Sequence, residues 1–269
     1  MSLPFSNSLP SLARPAQDTL DRARIIAASP LGTGLSSDAC FAIASKSRIK
    51  RYSRGNALFL QGDTGQKLML VTSGYVKLTQ VSPDGKEVLL WMYGPNHILG
   101  IRSELTGNPY SCSAEALKTC TVLVWEHECM SALTHQYPRL LQNLNQVLIG
   151  RIEELEERFR ELATENVSRR LALALLRLSR HIGSLGSSGT EIHLSRQELA
   201  RMTGTTLFSV SRILSEWGRE RLVQPKRNSV IVPDLSLIEK MAEVEWRPMP
   251  SPNGNSHRVG PRAVTPIGV

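Results

Sequence analysis

The sequence predicts an α+β chain in which a roll of short strands is followed by one long helix and then by a small helical unit closed with a hairpin. Three observations carry that reading. Between Arg48 and Trp125 short β-rich runs alternate with turn signals, the texture of an all-β sandwich or jelly roll. From Pro138 to Val167 apolar residues recur at steps of three and four, the period of one helix face. In "LSRQELARMTGTTLFSVSRILSEWGRERL" two short helical patterns meet at Gly204, and "VQPKRNSVIVP" behind them reads as a hairpin.

Composition bounds the rest. The 269 residues suffice for one large or two medium domains, and 41% hydrophobic residues can bury a core. The net charge is +8 and the isoelectric point about 9.6. The excess is uneven: residues 166–269 carry 15 Lys/Arg against 8 Asp/Glu, whereas residues 1–165 are close to balance. An anionic partner suits the C-terminal part, although a basic, inert surface would look the same. Cys40, Cys112, Cys120 and Cys129 show no CxxC spacing, so neither a metal nor a disulfide framework is suggested and a reducing cytoplasm fits. No apolar run approaches the ~18 residues of a membrane span. The ends, residues 1–19 and 245–269, read as disordered tails, the second rich in Pro, Gly and Ser.

The elements follow in order. "TLDRARIIAAS" and "SSDACFAIASKS" predict two short helices, the second capped by Ser36 or Ser37. The strand runs "ALFL", "LMLVTSG", "YVKLTQV", "KEVLLWMY", "SCSAEAL" and "CTVLVW" complete a β-rich unit over residues 20–136. The long helix spans residues 137–164. Its stripe of Leu141, Leu144, Leu148, Ile152, Leu155, Phe159 and Leu162 has charged flanks, with Glu154–Arg158 and Glu156–Arg160 as i,i+4 pairs. Such a seam suits a parallel coiled-coil dimer, or packing on the chain's own domain. Gly150 is expected to allow close backbone approach at that seam. A break near Thr164–Asn166 opens a third unit, residues 165–244. It starts with the helix "VSRRLALALLRLSRHIG", for which Ser168 is a candidate cap, then a flexible turn "SLGSSG" and a strand "TEIHL". A last helix, "DLSLIEKMAEV", is capped by Asp234.

The two helices at Gly204 are the informative pair. Ser195-x-x-Glu198 before an apolar run is a capping box. Gly204 ends the first helix and Thr205–Thr206 cap the second. Leu199 and Met202 face inward, as do Leu207, Val210, Ile213, Leu214 and Trp217. Two short helices joined by a tight glycine turn form a helix-turn-helix, which offers the front of its second helix to a major groove. The residues so offered are Thr206, Leu207, Phe208, Ser209, Ser211 and Arg212. Arg212 alone among them can make the bidentate contact to guanine O6 and N7. Hydroxyls at a helix N-terminus suit phosphates. Lys226 and Arg227 at the hairpin tip suit backbone phosphates, which makes the unit a winged helix. The same signature also occurs in protein-interaction modules.

Taken together, "GNALFLQGDTGQKLMLVTSGYVKL", "SPDGKEVLLWMYGPNHILG", the long helix and "LSRQELARMTGTTLFSVSRIL" resemble the Crp/Fnr family of bacterial transcription regulators over about residues 20–243. The resemblance implies a cyclic-nucleotide-binding-type β-roll as sensor, a long dimerisation helix and a C-terminal winged helix-turn-helix. It implies a cytoplasmic homodimer that binds a near-palindromic operator in double-stranded DNA, contacts RNA polymerase and answers a small effector. Arg212 matches the family's guanine-reading arginine and Ser211 the serine before it in the Fnr-like branch. Ser209 and Thr206 match hydroxyls that touch phosphate, and Arg196 matches an arginine of the first helix that touches backbone. Phe208 departs, because family members often carry a glutamate there that reads cytosine; an aromatic can instead meet a thymine methyl.

The sensor departs further. The family's Gly-Glu pair for the ribose reads Gly100-Ile101, its Arg-Ser pair for the cyclic phosphate reads Tyr110-Ser111, and the hydroxyls that meet adenine become Leu155 and Glu156. Cyclic AMP is therefore not expected as effector. Arg102, the nearby cation, is expected to face solvent or pair with Glu104. The N-terminal cysteine cluster of the iron–sulfur members is absent. Similarity to regulators of nitrite and nitric-oxide reductases suggests a nitrogen-oxide or redox signal, with haem as a candidate cofactor, but His97, His127 and His135 match no ligand motif and read as ordinary surface or turn histidines. No HExxH, GxSxG or phosphate-binding Gly loop occurs, so an enzyme is not expected. Two other readings remain open: a cyclic-nucleotide-responsive channel or kinase partner, which the helix-turn-helix and basic C-terminal part oppose, and a ligand-independent DNA-binding protein with the roll as scaffold.

Overall fold

The computed structural model describes residues 13–64 and 67–242. The expected C-terminal tail and residues 1–12 lie outside them. Helix α1 (Ala13–Ala27) begins inside the segment expected as the N-terminal tail. A 3-10 turn (Pro30–Gly32) leads to α2 (Ser37–Ser45), where Ser36 is the cap and accepts the Ala39 N–H at 3.2 Å.

The roll is two facing antiparallel sheets. One runs β1 (Arg48–Tyr52), β8 (Cys120–Glu126), β3 (Lys67–Ser73), β6 (Ile98–Leu99) in spatial order. The other runs β2 (Ala57–Phe59), β7 (Ser113–Ala116), β4 (Val76–Val81), β5 (Glu87–Tyr93). Side chains alternate faces along a strand, and here both faces of the first sheet are covered. Met69, Val71, Val122 and Val124 fill the space between the sheets. Their neighbours Leu68, Leu70, Leu123 and Trp125 turn the other way, onto Ile26, Ile43 and Leu140 of the helices. That double coverage is why "LMLV" and "TVLVW" read as unbroken apolar runs. The Trp125 indole donates to the Ile43 carbonyl at 2.9 Å, which satisfies its buried N–H.

Between β6 and β7 sits α3 (Ile101–Thr106), and α4 (His127–Gln136) leads into α5 (Pro138–Thr164). The stripe on α5 is divided. Leu141, Ile149, Ile152, Leu155, Phe159 and Leu162 are exposed, Phe159 by 75%. Leu144, expected in the seam, is fully buried, and Leu148 is half-buried; both pack into the helical core of the roll. The front of α5 lies against that core, so inward positions there are used before a second copy could reach them. The expected ion pairs are replaced as well. Arg160 pairs with Glu157 and Glu165, while Arg158 reaches the Leu90 carbonyl and lies 5.9 Å from the Trp91 ring centroid.

The C-terminal unit comprises α6 (Val167–Ile182), β9 (Ser184–Gly186), β10 (Gly189–Ile192), α7 (Arg196–Thr203), α8 (Leu207–Arg219), β11 (Gln224–Pro225), β12 (Val230–Val232) and α9 (Leu235–Ala242). Its four strands make one sheet, ordered β11-β12-β10-β9. Asn166, not Ser168, caps α6 by accepting the Arg169 N–H at 2.9 Å. The segment expected as a flexible turn contributes strand β9, paired with β10. Asp234 accepts the Ser236 N–H at 2.9 Å ahead of α9. Leu89 and Met92 of β5 join the core made by Leu175, Leu199, Val210 and Trp217, so the helical unit covers the outer face of the second sheet.

Candidate DNA interface and sensor pocket

The helix-turn-helix is built by its caps. Ser195 and Glu198 satisfy each other's backbone N–H groups at 3.2 and 2.8 Å, a closed capping box on α7. Gly204 leaves α7 in the left-handed region at φ 61°, where L side chains are strained, and a Cβ there would come within 3.0 Å of Leu162. Thr206 caps α8 by accepting the Ser209 N–H at 3.1 Å, and the two hydroxyls lie 3.0 Å apart.

The outer face of α8 is open. Phe208 is 78% exposed, and the Arg212 side chain 63%, tethered to Glu216 at 3.6 Å. Ser211 is half-buried. Leu207, expected on the buried face, is exposed beside Phe208, because Val210, Ile213, Leu214 and Trp217 already fill the inner face. Arg196 is half-buried at the start of α7, and its Nε is buried without a hydrogen-bond partner. On the hairpin, Lys226 and Arg227 are exposed; Lys226 Nζ lies 3.5 Å from Glu191, whose carboxylate also accepts from Ser229 at 2.7 Å.

In the roll, Gly100 holds φ 83°, and a Cβ there would strike the Lys67 carbonyl at 2.2 Å. Ile101 is fully buried. Tyr110 is buried too, stacked on Phe59 with ring centroids 4.0 Å apart. Its hydroxyl accepts the Lys67 N–H at 2.9 Å and donates to the Lys67 carbonyl at 3.1 Å. Burial pushes that phenol up to about 12, and its one proton is committed to the protein's own backbone. Ser111 is half-buried, and its carbonyl accepts from Gln80 at 3.2 Å. Arg102 faces solvent and donates to the Pro109 carbonyl at 3.2 Å. It does not pair with Glu104, which is buried and bonded to His127 at 3.0 Å.

The three histidines considered as ligands do not converge. His127 serves Glu104, His135 is exposed against the Ser131 carbonyl at 2.7 Å, and His97 lies in a ring cluster with Tyr93 and His181. His97 is half-buried and sits in a turn, its Nδ1 3.1 Å from the Gly94 and Pro95 carbonyls. Among the described residues no group of three or more His, Cys, Asp or Glu side chains is placed to hold a metal ion.

Two features lay outside the sequence reading. Ile149 belongs to the exposed stripe on α5, a position the leucine spacing obscured because Leu148 stands beside it. The junction of roll and helical unit also went unseen. Arg201 reaches Glu87 at 3.0 Å, and Gly94 sits so close that a Cβ would meet the His181 carbonyl at 2.7 Å; beside them Arg177 of α6 forms a bidentate pair with buried Glu161 of α5. Contacts between such distant positions leave no local pattern.

Two family models match the chain: a cyclic nucleotide-binding domain over residues 49–137 and a Crp-like helix-turn-helix domain over residues 169–241. A relative named Cyclic AMP receptor protein, from Thermus thermophilus, is 32% identical over 80% of this chain and 97% of its own. The Global nitrogen regulator of Synechococcus elongatus is 28% identical over 69% of this chain and 85% of its own. Among solved structures, a CRP-family transcriptional regulator from Thermus thermophilus superposes with a TM-score of 0.63 at 25% identity, over 72% of this chain and 97% of that one.

Proposed function

From the premise that the chain belongs to the Crp/Fnr family of transcription regulators, we propose that it acts as a cytoplasmic homodimer on a near-palindromic operator, reading bases with the front of α8 and recruiting or blocking RNA polymerase. It works by binding, with no chemistry of its own. The observation that carries the reading is the open face of α8: Phe208 and Arg212 stand exposed together, with Lys226 and Arg227 beside them on the hairpin. Arg212 reads guanine, Phe208 meets a thymine methyl, and Thr206, Ser209, Ser211, Arg196, Lys226 and Arg227 hold phosphates. Leu207 packs beside Phe208 in the groove. The second copy pairs along the exposed stripe of Leu141, Ile149, Ile152, Leu155, Phe159 and Leu162.

The effector is not cyclic AMP bound in the manner of the family. A buried phosphate charge needs a cation or converging donors. At the matched position Tyr110 spends its proton on Lys67, and Ile101 offers no carboxylate to a ribose.

Selection of binding sites from random duplexes tests the function. The expected product is a pair of inverted half-sites about one helical turn, roughly 34 Å, apart. Enrichment of a single unpaired site, or of nothing, would overturn the dimeric-operator reading.

A further inference from the structure

A cavity of about 960 Å³ lies between the roll, α5 and α6. Tyr93 of β5, His97 beyond it, Gly150 and Arg151 of α5, and Arg180 and His181 of α6 all line it. It is therefore walled by the sensor and the DNA-binding unit at once, and Gly100, Ile101, Tyr110 and Ser111 take no part in its lining. Its size falls in the range of small-molecule sites.

We propose that this cavity binds a small organic anion carrying a planar ring, as an effector that bridges the roll and the DNA-binding unit. The wall supplies the ring contact. Tyr93 and His97 stack with centroids 4.6 Å apart, and the His181 ring meets His97 edge-on at 5.2 Å. The hydroxyl of Tyr93 supplies a donor: the residue is 2% exposed, and its oxygen has no hydrogen-bond partner, a destabilising condition that a ligand acceptor relieves. The charge comes from Arg139 and Arg151, with Arg180, which Glu239 also faces, against Glu153 and Glu154. Burial, helped by the nearby arginines, pushes both imidazoles down to about 4. They thus offer neutral faces in a positive field, which repels cations and suits an anion.

The site remains open in a dimer. At about 100° per residue, Asn143, Gln146 and Gly150 lie on the face of α5 opposite Ile152 and Phe159. Gly150 therefore faces the cavity and not the seam, contrary to the expectation from sequence. A mid-helix glycine is less favourable than alanine, and here Gly150 lines the cavity without a side chain.

Binding itself does not depend on the operator reading; only the effect on DNA rests on it. Phenyl phosphate and AMP serve as probes, titrated calorimetrically into the full chain. Both are expected to bind, AMP with a Kd of order micromolar. Gly150→Leu fills the cavity while favouring the helix, and should weaken AMP binding more than tenfold without lowering the unfolding midpoint. Tyr93→Phe keeps the ring, removes the donor, and should weaken AMP three- to tenfold. Hydrogen exchange should slow at residues 143–151 and 180–183 when AMP binds. No heat from either probe at millimolar concentration, undiminished binding in Gly150→Leu, or protection confined to residues 100–111 would each overturn the site. Binding that leaves operator affinity unchanged would overturn its role as an effector site.

Discussion

In the proposed interface, base recognition turns on Arg212. Its partner in the free protein is Glu216, four residues on, at 3.6 Å and well exposed. Such a pair is worth a few tenths of a kcal/mol, whereas a bidentate guanine contact discriminates by about 1–3 kcal/mol. DNA wins that competition, and Arg212→Ala is expected to lower specific binding ten- to a hundredfold while changing non-specific binding less. Lys226, tied to Glu191 at 3.5 Å, is the proposed phosphate contact. Lys226→Ala should weaken all duplexes alike and reduce the salt slope by about one. Fluorescence anisotropy on specific and random duplexes at several salt concentrations separates the two, and equal effects of both variants on both duplexes would dismiss the assignment. In the roll the deciding residue is Tyr110. With its hydroxyl engaged at both ends by Lys67, cyclic AMP and cyclic GMP should give no calorimetric signal at micromolar concentration. Micromolar binding abolished by Arg102→Ala would show a rebuilt phosphate site instead.

At the scale of elements, the proposed dimer rests on α5. Six large apolar side chains stand exposed along one face of it, Ile152 by 55%, and a contiguous exposed stripe is unusual unless something covers it. Ile152→Glu places a charge in the middle of that face and should yield monomers by light scattering, with the roll's core intact because Ile152 takes no part in it. An unchanged dimer would put the contact elsewhere. The exposed stripe also marks what sequence can and cannot tell. Period and capping are local, so six strands of the roll, the capping box at Ser195, the glycine turn at Gly204 and the helix α8 were legible. Which side of a helix is already covered is not local. Leu144 has the spacing of a seam residue and lies in the core; Leu207 has the spacing of a core residue and lies outside; Gly150 reads as a seam residue and faces a cavity. Strand β9 was missed because Ser-Leu-Gly-Ser-Ser-Gly has turn composition, and only its pairing with β10 makes it a strand. Each miss is a case of tertiary packing overriding a local preference.

Across the whole molecule, the helical unit docks on the second sheet, and any signal from the roll to the proposed DNA interface would have to cross that contact. Leu89 and Met92 supply its apolar part and Arg201–Glu87 its ion pair, while Arg177–Glu161 ties α6 to α5. At its edge stand two imidazoles, one from each side. Burial, with His181 adding to it, lowers His97 to about 4; burial, with Arg177, Arg180 and Arg158 adding to it, lowers His181 to about 4. In the unfolded chain both return to about 6.5, so over that interval the unfolded state binds more protons. Stability is therefore whole above about pH 6.5 and falls as pH drops towards 4, by up to about 1.4 kcal/mol per pH unit for each imidazole that must stay neutral. The exposed carboxylates whose values are lowered, such as Asp84 and Glu191, add to acid sensitivity only nearer pH 4. Glu104, whose carboxyl burial pushes up, acts in the opposite direction on the way down, so it is the comparison with a variant lacking both rings that isolates the imidazoles between pH 7.5 and 5.0. Urea midpoints of the native protein should fall across that range, and those of the double variant His97→Gln/His181→Gln should fall by less. Parallel loss in both proteins would mean that neither ring is held neutral at the junction. Because the two rings sit where the units meet, the same protonation should loosen their docking before either unit unfolds, and exchange at residues 180–183 should quicken at pH 5.0 while that of β3 and β8 does not.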